Sequence, residues 1–134
     1  MFGRLFRKKE QLPVPDFALP PDEEFKQTRS GLRYFSHQEG TGAPPAVTDK
    51  VTVHYAGWTT EGKLFDASYK RGKPASFPLN GVIKGWTEGL QLMSEGAVYT
   101  FIIPAPLAYG SRGAPPAIGP NETLVFHVEL LSIA

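Results

Sequence analysis

Residues 82–93 read VIKGWTEGLQLM, and this segment decides the fold class of the chain. Its apolar residues recur every three or four positions, which is the spacing of one helix face. These apolar residues are Ile83, Trp86, Leu90 and Met93. Gly85 and Gly89 lower the intrinsic helix propensity, so such a helix depends on burial against a partner. We therefore predict one short buried helix here, and we expect Gly96 to end it.

The segments on both sides of this helix alternate apolar and polar residues, which is typical of half-buried strands. The longer alternating segments are residues 32–38, 50–58, 97–104 and 123–133, and shorter ones are residues 64–68 and 76–79. Glu61-Gly62 and Asn80-Gly81 mark turns between them. The pattern predicts an α+β fold, an antiparallel sheet of about five strands with one short α-helix laid across it.

Length and composition limit the possible chemistry. The chain has 134 residues, enough for one domain, and no cysteine, which excludes disulfides, thiol catalysis and cysteine-bound metals. Its three histidines (His37, His54 and His127) are far apart in sequence, so we predict no metal site built from them. His54 and His127 each follow an apolar strand residue, which predicts that both lie on the outer, solvent-facing side of the sheet.

Charge is distributed unevenly along the chain. Residues 1–10 hold four cations and Glu10, a local charge of +3, so the remainder of a chain with net charge +1 carries −2 and is not expected to bind nucleic acid. The basic tail is interpreted as a disordered terminus or as a segment that contacts an anionic membrane surface. Residues 11–21 contain four prolines, which favours an extended linker or strap. We predict a tail and linker over residues 1–27 and a folded domain over residues 28–134.

No sequence motif for a membrane segment or a covalent catalyst is found. The chain has no apolar run long enough to span a membrane and no signal-peptide pattern, so we expect a cytoplasmic location. It also has no nucleophile elbow, no S-x-x-K motif, no phosphate-binding lysine loop and no dinucleotide fingerprint.

Five motifs, in order, resemble the FKBP-type peptidyl-prolyl cis-trans isomerases, the immunophilins. They are VHYAGW at 53–58, FDASY at 65–69, GVIKGWTEGLQLM at 81–93, LAYG at 107–110 and IGPNETLVFHVELL at 118–131. The sequence is most similar to the bacterial subclass that includes domains of the macrophage infectivity potentiator type. The resemblance runs from about residue 28 to the end of the chain. It implies a sheet wrapped around one short helix, and an isomerase (rotamase) of Xaa-Pro bonds in unfolded or flexible polypeptides. It also implies no cofactor, and inhibition by macrolides such as tacrolimus or rapamycin.

The resemblance also implies roles for individual residues. Trp86 would form the floor of the pocket under the substrate proline, and the backbone N–H of Ile83 would bind a ligand carbonyl. Asp66 and Tyr109 would be its polar groups, and Ile118 an apolar residue at its rim. The walls would be Tyr55, Phe65, Val82, Ile83 and Phe126. The implied catalytic residues are Asp66, Tyr109, Trp86, Phe126 and Tyr55, and all nine would bind substrate. For Asp66 two roles stay open: orienting Tyr55 or Arg71, or polarising a carbonyl carbon.

Such a pocket suits a reaction that breaks no covalent bond. Rotation about an amide C–N bond has a barrier of ~18–20 kcal/mol because resonance is lost. A planar amide is more dipolar than a twisted one, so a dry aromatic pocket disfavours the planar ground state and accelerates rotation without covalent chemistry.

Two other functions remain open. Small residues at Ala75, Ala114 and Ala117, where the family often has larger ones, favour a binding module that captures proline-bearing partners without turnover. The same positions leave the preference for the residue before proline undefined. A general holdase (chaperone) is the third hypothesis, and the short segment between residues 104 and 123 argues against an inserted chaperone domain there.

Overall fold

The computed structural model describes residues 12–134, which contain seven strands and one α-helix. The strands are β1 (Lys26–Gln27), β2 (Arg33–Gln38), β3 (Lys50–Thr59), β4 (Leu64–Ala67), β5 (Ala75–Pro78), β6 (Val98–Ile103) and β7 (Leu124–Ile133). The helix, α1, spans Lys84–Leu90. This confirms the predicted α+β class, with seven strands instead of about five. The additional strand β1 has only two polar residues, so no alternation reveals it.

All strand pairs in the sheet are antiparallel, in the order β1-β2-β6-β7-β3-β4, with β5 also paired to β3. The ten-residue strands β3 and β7 pair along their length and form the middle of the sheet. Their register places Gly57 opposite Phe126 and Tyr55 opposite Val128. Because side chains alternate between faces, Tyr55 and Phe126 come to the same face as the buried core.

Helix α1 lies directly on the inner face of β6. A Cβ atom added to Gly89 would be 2.7 Å from Phe101 Cε1, and one added to Gly85 would be 2.5 Å from Ile103 Cγ2. The two glycines therefore permit a close approach of helix and sheet that no larger residue allows. The expectation that Gly96 ends the helix is wrong, because α1 ends at Leu90 and Gly96, with φ of 93°, belongs to the turn before β6.

The outer face of the sheet carries a second apolar cluster, which residues 12–17 help to cover. Phe17 and Val14 pack against this cluster, and the Phe17 ring lies 5.5 Å from the Trp58 ring between centroids. The N–H of Leu12 donates to the carbonyl of Tyr69 over 2.9 Å. We call residues 12–21 the strap. The basic tail predicted for residues 1–10 lies outside the described residues, and the domain boundary at residue 28 stays a prediction.

Two histidines on the outer face are less exposed than the alternation predicts. His54 Nδ1 lies 2.8 Å from Ser68 Oγ, and its ring stacks on Tyr69. The His127 ring lies 5.5 Å from that of His37. Burial, and to a lesser extent the neighbouring His37, lowers the pKa of His127 to about 4.

Within residues 12–134 no helix is long and apolar enough to cross a bilayer.

Candidate functional site

A cleft of about 340 Å³ opens between α1, the β3–β4–β7 part of the sheet and the loop after β6. Ten residues line it: Tyr55, Phe65, Asp66, Phe77, Gly81, Val82, Ile83, Trp86, Tyr109 and Phe126. Eight of them are among the nine residues that the family resemblance implied for a pocket. The ninth, Ile118, does not line the cleft; it is only 4% exposed and packs in the main core.

Three aromatic rings surround the indole of Trp86. Tyr55, Phe77 and Phe126 stand almost perpendicular to it, at interplanar angles of 87°, 90° and 83°, with centroids 5.1, 5.7 and 5.4 Å away. This edge-to-face arrangement is favourable for aromatic pairs. Trp86 is 4% exposed, so only a small part of the indole faces the cleft. Its buried Nε1 has no hydrogen-bond partner among the described residues.

Gly57 explains how two of the aromatic walls meet. A Cβ atom at this position would lie 2.7 Å from both Phe126 Cε1 and Phe65 Cζ. Its absence lets the rings of Phe65 and Phe126 contact each other edge to face, with centroids 5.5 Å apart and an angle of 89°. Gly57, Phe77 and Gly81 are not among the site residues that the family resemblance implied. Phe77 lies in the alternating segment at residues 76–79, but spacing alone does not separate a pocket residue from a core residue.

The polar side of the cleft is a closed network of three side chains. The Tyr55 hydroxyl donates to Asp66 Oδ2 over 2.5 Å. Arg71 donates from Nη1 to Asp66 Oδ1 and from Nη2 to the Tyr55 hydroxyl, both over 2.9 Å. Burial, followed by the hydrogen bond to Asp66, raises the pKa of Tyr55 to about 12. Both oxygens of Asp66 are thus engaged within the protein, and the Tyr55 hydroxyl stays protonated at neutral pH.

Tyr109 lies at the exposed edge of the cleft, with 40% of its surface accessible. Its loop is held by the N–H of Gly110, which donates to the carbonyl of Ala105 over 2.8 Å, and Gly110 has φ of 60°. Partial burial, and then the charge of Asp66, raises the pKa of Tyr109 above its ordinary value. Within the described part of the chain its hydroxyl has no side-chain hydrogen-bond partner, so it remains a donor available to a ligand.

The backbone at the start of α1 offers a second donor to the cleft. The carbonyl of Ile83 accepts hydrogen bonds from Trp86 and Thr87 and so begins the helix. The N–H of Ile83, in contrast, finds no acceptor in residues 12–134. Ile83 lines the cleft and is only partly buried, so its N–H can donate to the carbonyl of a ligand bound there.

The whole site is therefore an aromatic cup with a few fixed hydrogen-bonding groups at its edge. It offers an apolar surface to a ring, two donors to carbonyl oxygens and no activated nucleophile among its lining residues. Among residues 12–134 no group of three or more His, Asp or Glu side chains is arranged to hold a metal ion. Such a cup can bind a compact apolar ring and orient the amide groups beside it.

The chain is similar in sequence and in fold to known proteins of one family. The family described as FKBP-type peptidyl-prolyl cis-trans isomerase matches residues 42–131. Peptidyl-prolyl cis-trans isomerase Mip of Coxiella burnetii is 51% identical over 108 residues, which cover 81% of this chain and 47% of that protein. Outer membrane protein MIP of Legionella longbeachae is 50% identical over 104 residues, covering 78% of this chain and 45% of that protein. The crystal structure of FkpA from Escherichia coli superposes with a TM-score of 0.80 and 47% identity, covering 84% of this chain and 52% of that chain. The chain spans about half the length of the curated relatives it matches.

Proposed function

The chain belongs to the FKBP-type peptidyl-prolyl cis-trans isomerase family, and from that premise we propose that it accelerates cis–trans rotation of Xaa-Pro bonds in flexible or unfolded polypeptides. The observation that carries the proposal is the cleft in which three perpendicular rings surround Trp86. The proline ring of the substrate would lie on the indole, with Phe65, Val82 and Ile83 as further apolar contacts. Its role in cells would be in protein folding.

The proposed mechanism is differential binding of the twisted amide. Prolyl bonds isomerise unaided in about 10–100 s, so turnover near ~10² per second requires roughly 10⁴-fold acceleration, about 5.5 kcal/mol of barrier lowering. Water and neighbouring dipoles stabilise the planar amide, and the aromatic cup removes them. The twisted amide carries less charge on oxygen and loses less on transfer to this surface, so its relative free energy falls.

Polar groups at the edge hold the part of the substrate that does not rotate. We assign the Tyr109 hydroxyl and the Ile83 N–H to carbonyl oxygens on the half of the substrate that stays fixed while the other half rotates, each bond contributing ~1 kcal/mol. Asp66 acts as a positioning residue, since it accepts from both Tyr55 and Arg71. Because its hydroxyl is held, the Tyr55 ring keeps one position in the side of the cleft that contacts the substrate proline.

The same cleft is proposed to bind tacrolimus or rapamycin, which would displace a peptide substrate. Binding should change the fluorescence of Trp86, on top of a constant signal from Trp58, which lies on the outer face of the sheet. The cytoplasmic location and the contact of residues 1–10 with anionic membranes remain predictions. Liposome binding by the intact chain, compared with a chain that lacks residues 1–10, tests the second.

Magnetisation exchange on a short blocked Xaa-Pro peptide tests the proposed function. Catalytic amounts of the protein should raise the cis–trans exchange rate, and rapamycin should return it to the uncatalysed value. An exchange rate that stays unchanged at equimolar protein would refute the isomerase. Binding of the same peptide without acceleration would instead identify the protein as a binding module.

A further inference from the structure

A second, more open cavity of about 750 Å³ continues from the cleft along the outer side of α1. The two cavities share Val82, which lines both. Leu107, from the short 3-10 turn after β6, supplies a further apolar residue to the second cavity. We call this second cavity the helix groove. Because Val82 lines both cavities, a polypeptide that leaves the cleft past Val82 reaches the helix groove next.

Most polar side chains of the helix groove already have partners within the protein. Thr87 Oγ1 donates to the carbonyl of Leu79 over 2.8 Å, and Gln91 Nε2 donates to the carbonyl of Thr87 over 2.8 Å. Glu88 Oε1 accepts a hydrogen bond from Ser30 Oγ over 2.6 Å. These bonds fix the shape of the groove.

Lys84 differs from these residues. It is exposed, it lines the helix groove, and it forms no salt bridge or side-chain hydrogen bond within residues 12–134. Glu88, one turn further along the helix, also lines the groove and keeps its negative charge, but it is hydrogen-bonded to Ser30 and not to Lys84. At its Lys84 end, which shares Val82 with the cleft, the groove therefore presents an ammonium group with no ion-pair partner among residues 12–134, and its negative charge lies one turn away at Glu88.

We propose that the helix groove binds the stretch of substrate polypeptide that flanks the Xaa-Pro bond, and that Lys84 selects an acidic residue in that stretch. The proposal rests on the proposed isomerase function and adds a substrate preference to it. An extended chain advances about 3.3–3.6 Å per residue, so two to four residues beyond the proline pair span a distance comparable to the length of α1, about 10 Å. An exposed ion pair of this kind changes kcat/KM by about two- to fivefold, and the effect falls with added salt.

The test uses a series of Xaa-Pro octapeptides with Glu, Gln or Lys placed two, three or four residues from the proline on either side. Exchange rates give kcat/KM at low ionic strength, and each value is divided by that of a short blocked tetrapeptide measured with the same protein variant. For at least one position, the order Glu above Gln above Lys is expected, with about two- to fivefold between neighbours. Lys84→Glu should reverse this order.

Lys63→Glu is the matched control, because it makes the same change in net charge on an exposed residue that does not line the groove. It should leave the order of the peptides unchanged. The proposal is overturned if no position distinguishes Glu from Lys, or if Lys84→Glu and Lys63→Glu alter the order equally, because the effect would then come from net charge.

A failure of the proposed function is recognised separately. In that case the tetrapeptide itself would show no acceleration. The helix groove would then be judged by the amide chemical shifts of Lys84 and Gln91 during titration with the Glu octapeptide. If the Glu octapeptide changes these chemical shifts more than the Lys octapeptide does, the groove is a binding site even without isomerase activity. If neither peptide changes them, the groove does not bind the peptide and the proposal is wrong.

Discussion

A single carboxylate organises the polar side of the cleft. Asp66 accepts hydrogen bonds from Tyr55 and Arg71, and charge-assisted bonds of this kind hold both partners in a fixed geometry. About half of the Asp66 and Arg71 side-chain surfaces is exposed, so their direct attraction adds little to stability. The effect of Asp66 is therefore expected in the geometry of the cleft and in catalysis more than in the free energy of unfolding.

Asp66→Asn should lower kcat/KM by about tenfold, because the amide holds Tyr55 and Arg71 more weakly. It should also lower the pKa of Tyr55 from about 12, since the hydrogen bond and negative charge of Asp66 both disfavour the tyrosinate. NMR titration of ring carbons measures this pKa. Glu129→Gln is the control, because Glu129 helps to raise the pKa of Tyr69 to about 12 on the other face of the sheet. A kcat/KM unchanged by Asp66→Asn would contradict the positioning role.

His127 gives the protein a pH-dependent stability. Its pKa is about 4 in the folded chain and about 6.5 when unfolded, so between these values the unfolded state binds more protons. Stability should be complete above about pH 6.5 and fall by about 2–3 kcal/mol as the pH decreases to about 4. Urea unfolding at several pH values measures this, and His127→Gln should flatten the dependence over that range. An equally steep fall in the variant would assign it to other groups.

At the scale of elements, the contact between helix α1 and strand β6 depends on two glycines. Gly89→Ala should lower the free energy of unfolding by about 1–3 kcal/mol, although alanine favours helix formation by about 1 kcal/mol, because the new methyl group would overlap Phe101. Chemical denaturation measures the change. Adding Phe101→Leu removes the ring atoms closest to the methyl group, so the double variant should lose less than the sum of the two single variants. Strict additivity would show that the two residues do not conflict.

The sequence predicts elements well where one periodicity dominates. The spacing of Ile83, Trp86 and Leu90 predicted α1, and alternation predicted the long strands β3 and β7. Their partners could not be predicted in this way, because pairing is set by contacts between residues far apart in the chain. Gly85 and Gly89 illustrate this: in sequence they only weaken a helix, whereas in the fold they bring it onto the sheet.

The sequence predicted which residues form the candidate site better than it predicted how they are arranged in space. The family resemblance implied eight of the ten lining residues, because their motifs are local. Ile118 was placed at the rim, but it packs in the core, and Phe77 was left out, although its ring stands perpendicular to Trp86. Both outcomes depend on how the loop before β7 and strand β5 fold back on the sheet, which spacing does not encode.

At the scale of the whole molecule, the strap covers part of the outer face of the sheet through Val14 and Phe17. Phe17→Ala should lower the free energy of unfolding by about 1–3 kcal/mol and shift Trp58 fluorescence to longer wavelength, since Phe17 contacts that indole. Because Trp58 and the cleft lie on opposite faces, kcat/KM should not change. Leu19→Ala serves as the control, as Leu19 is 44% exposed. A loss of activity as large as the loss of stability would show that the strap also shapes the cleft.

In the proposed mechanism, the aromatic cup around Trp86 accelerates rotation of a prolyl bond without moving a proton or forming a covalent bond. The most direct test is the ratio of kcat/KM in H₂O to that in D₂O, measured by magnetisation exchange on a blocked Xaa-Pro peptide. We predict clear acceleration with a ratio of about 1, since only the solvation of the amide changes on the way to the twisted state. A ratio of about 2 or more would indicate proton transfer in the rate-limiting step and contradict the account, as would the absence of any acceleration.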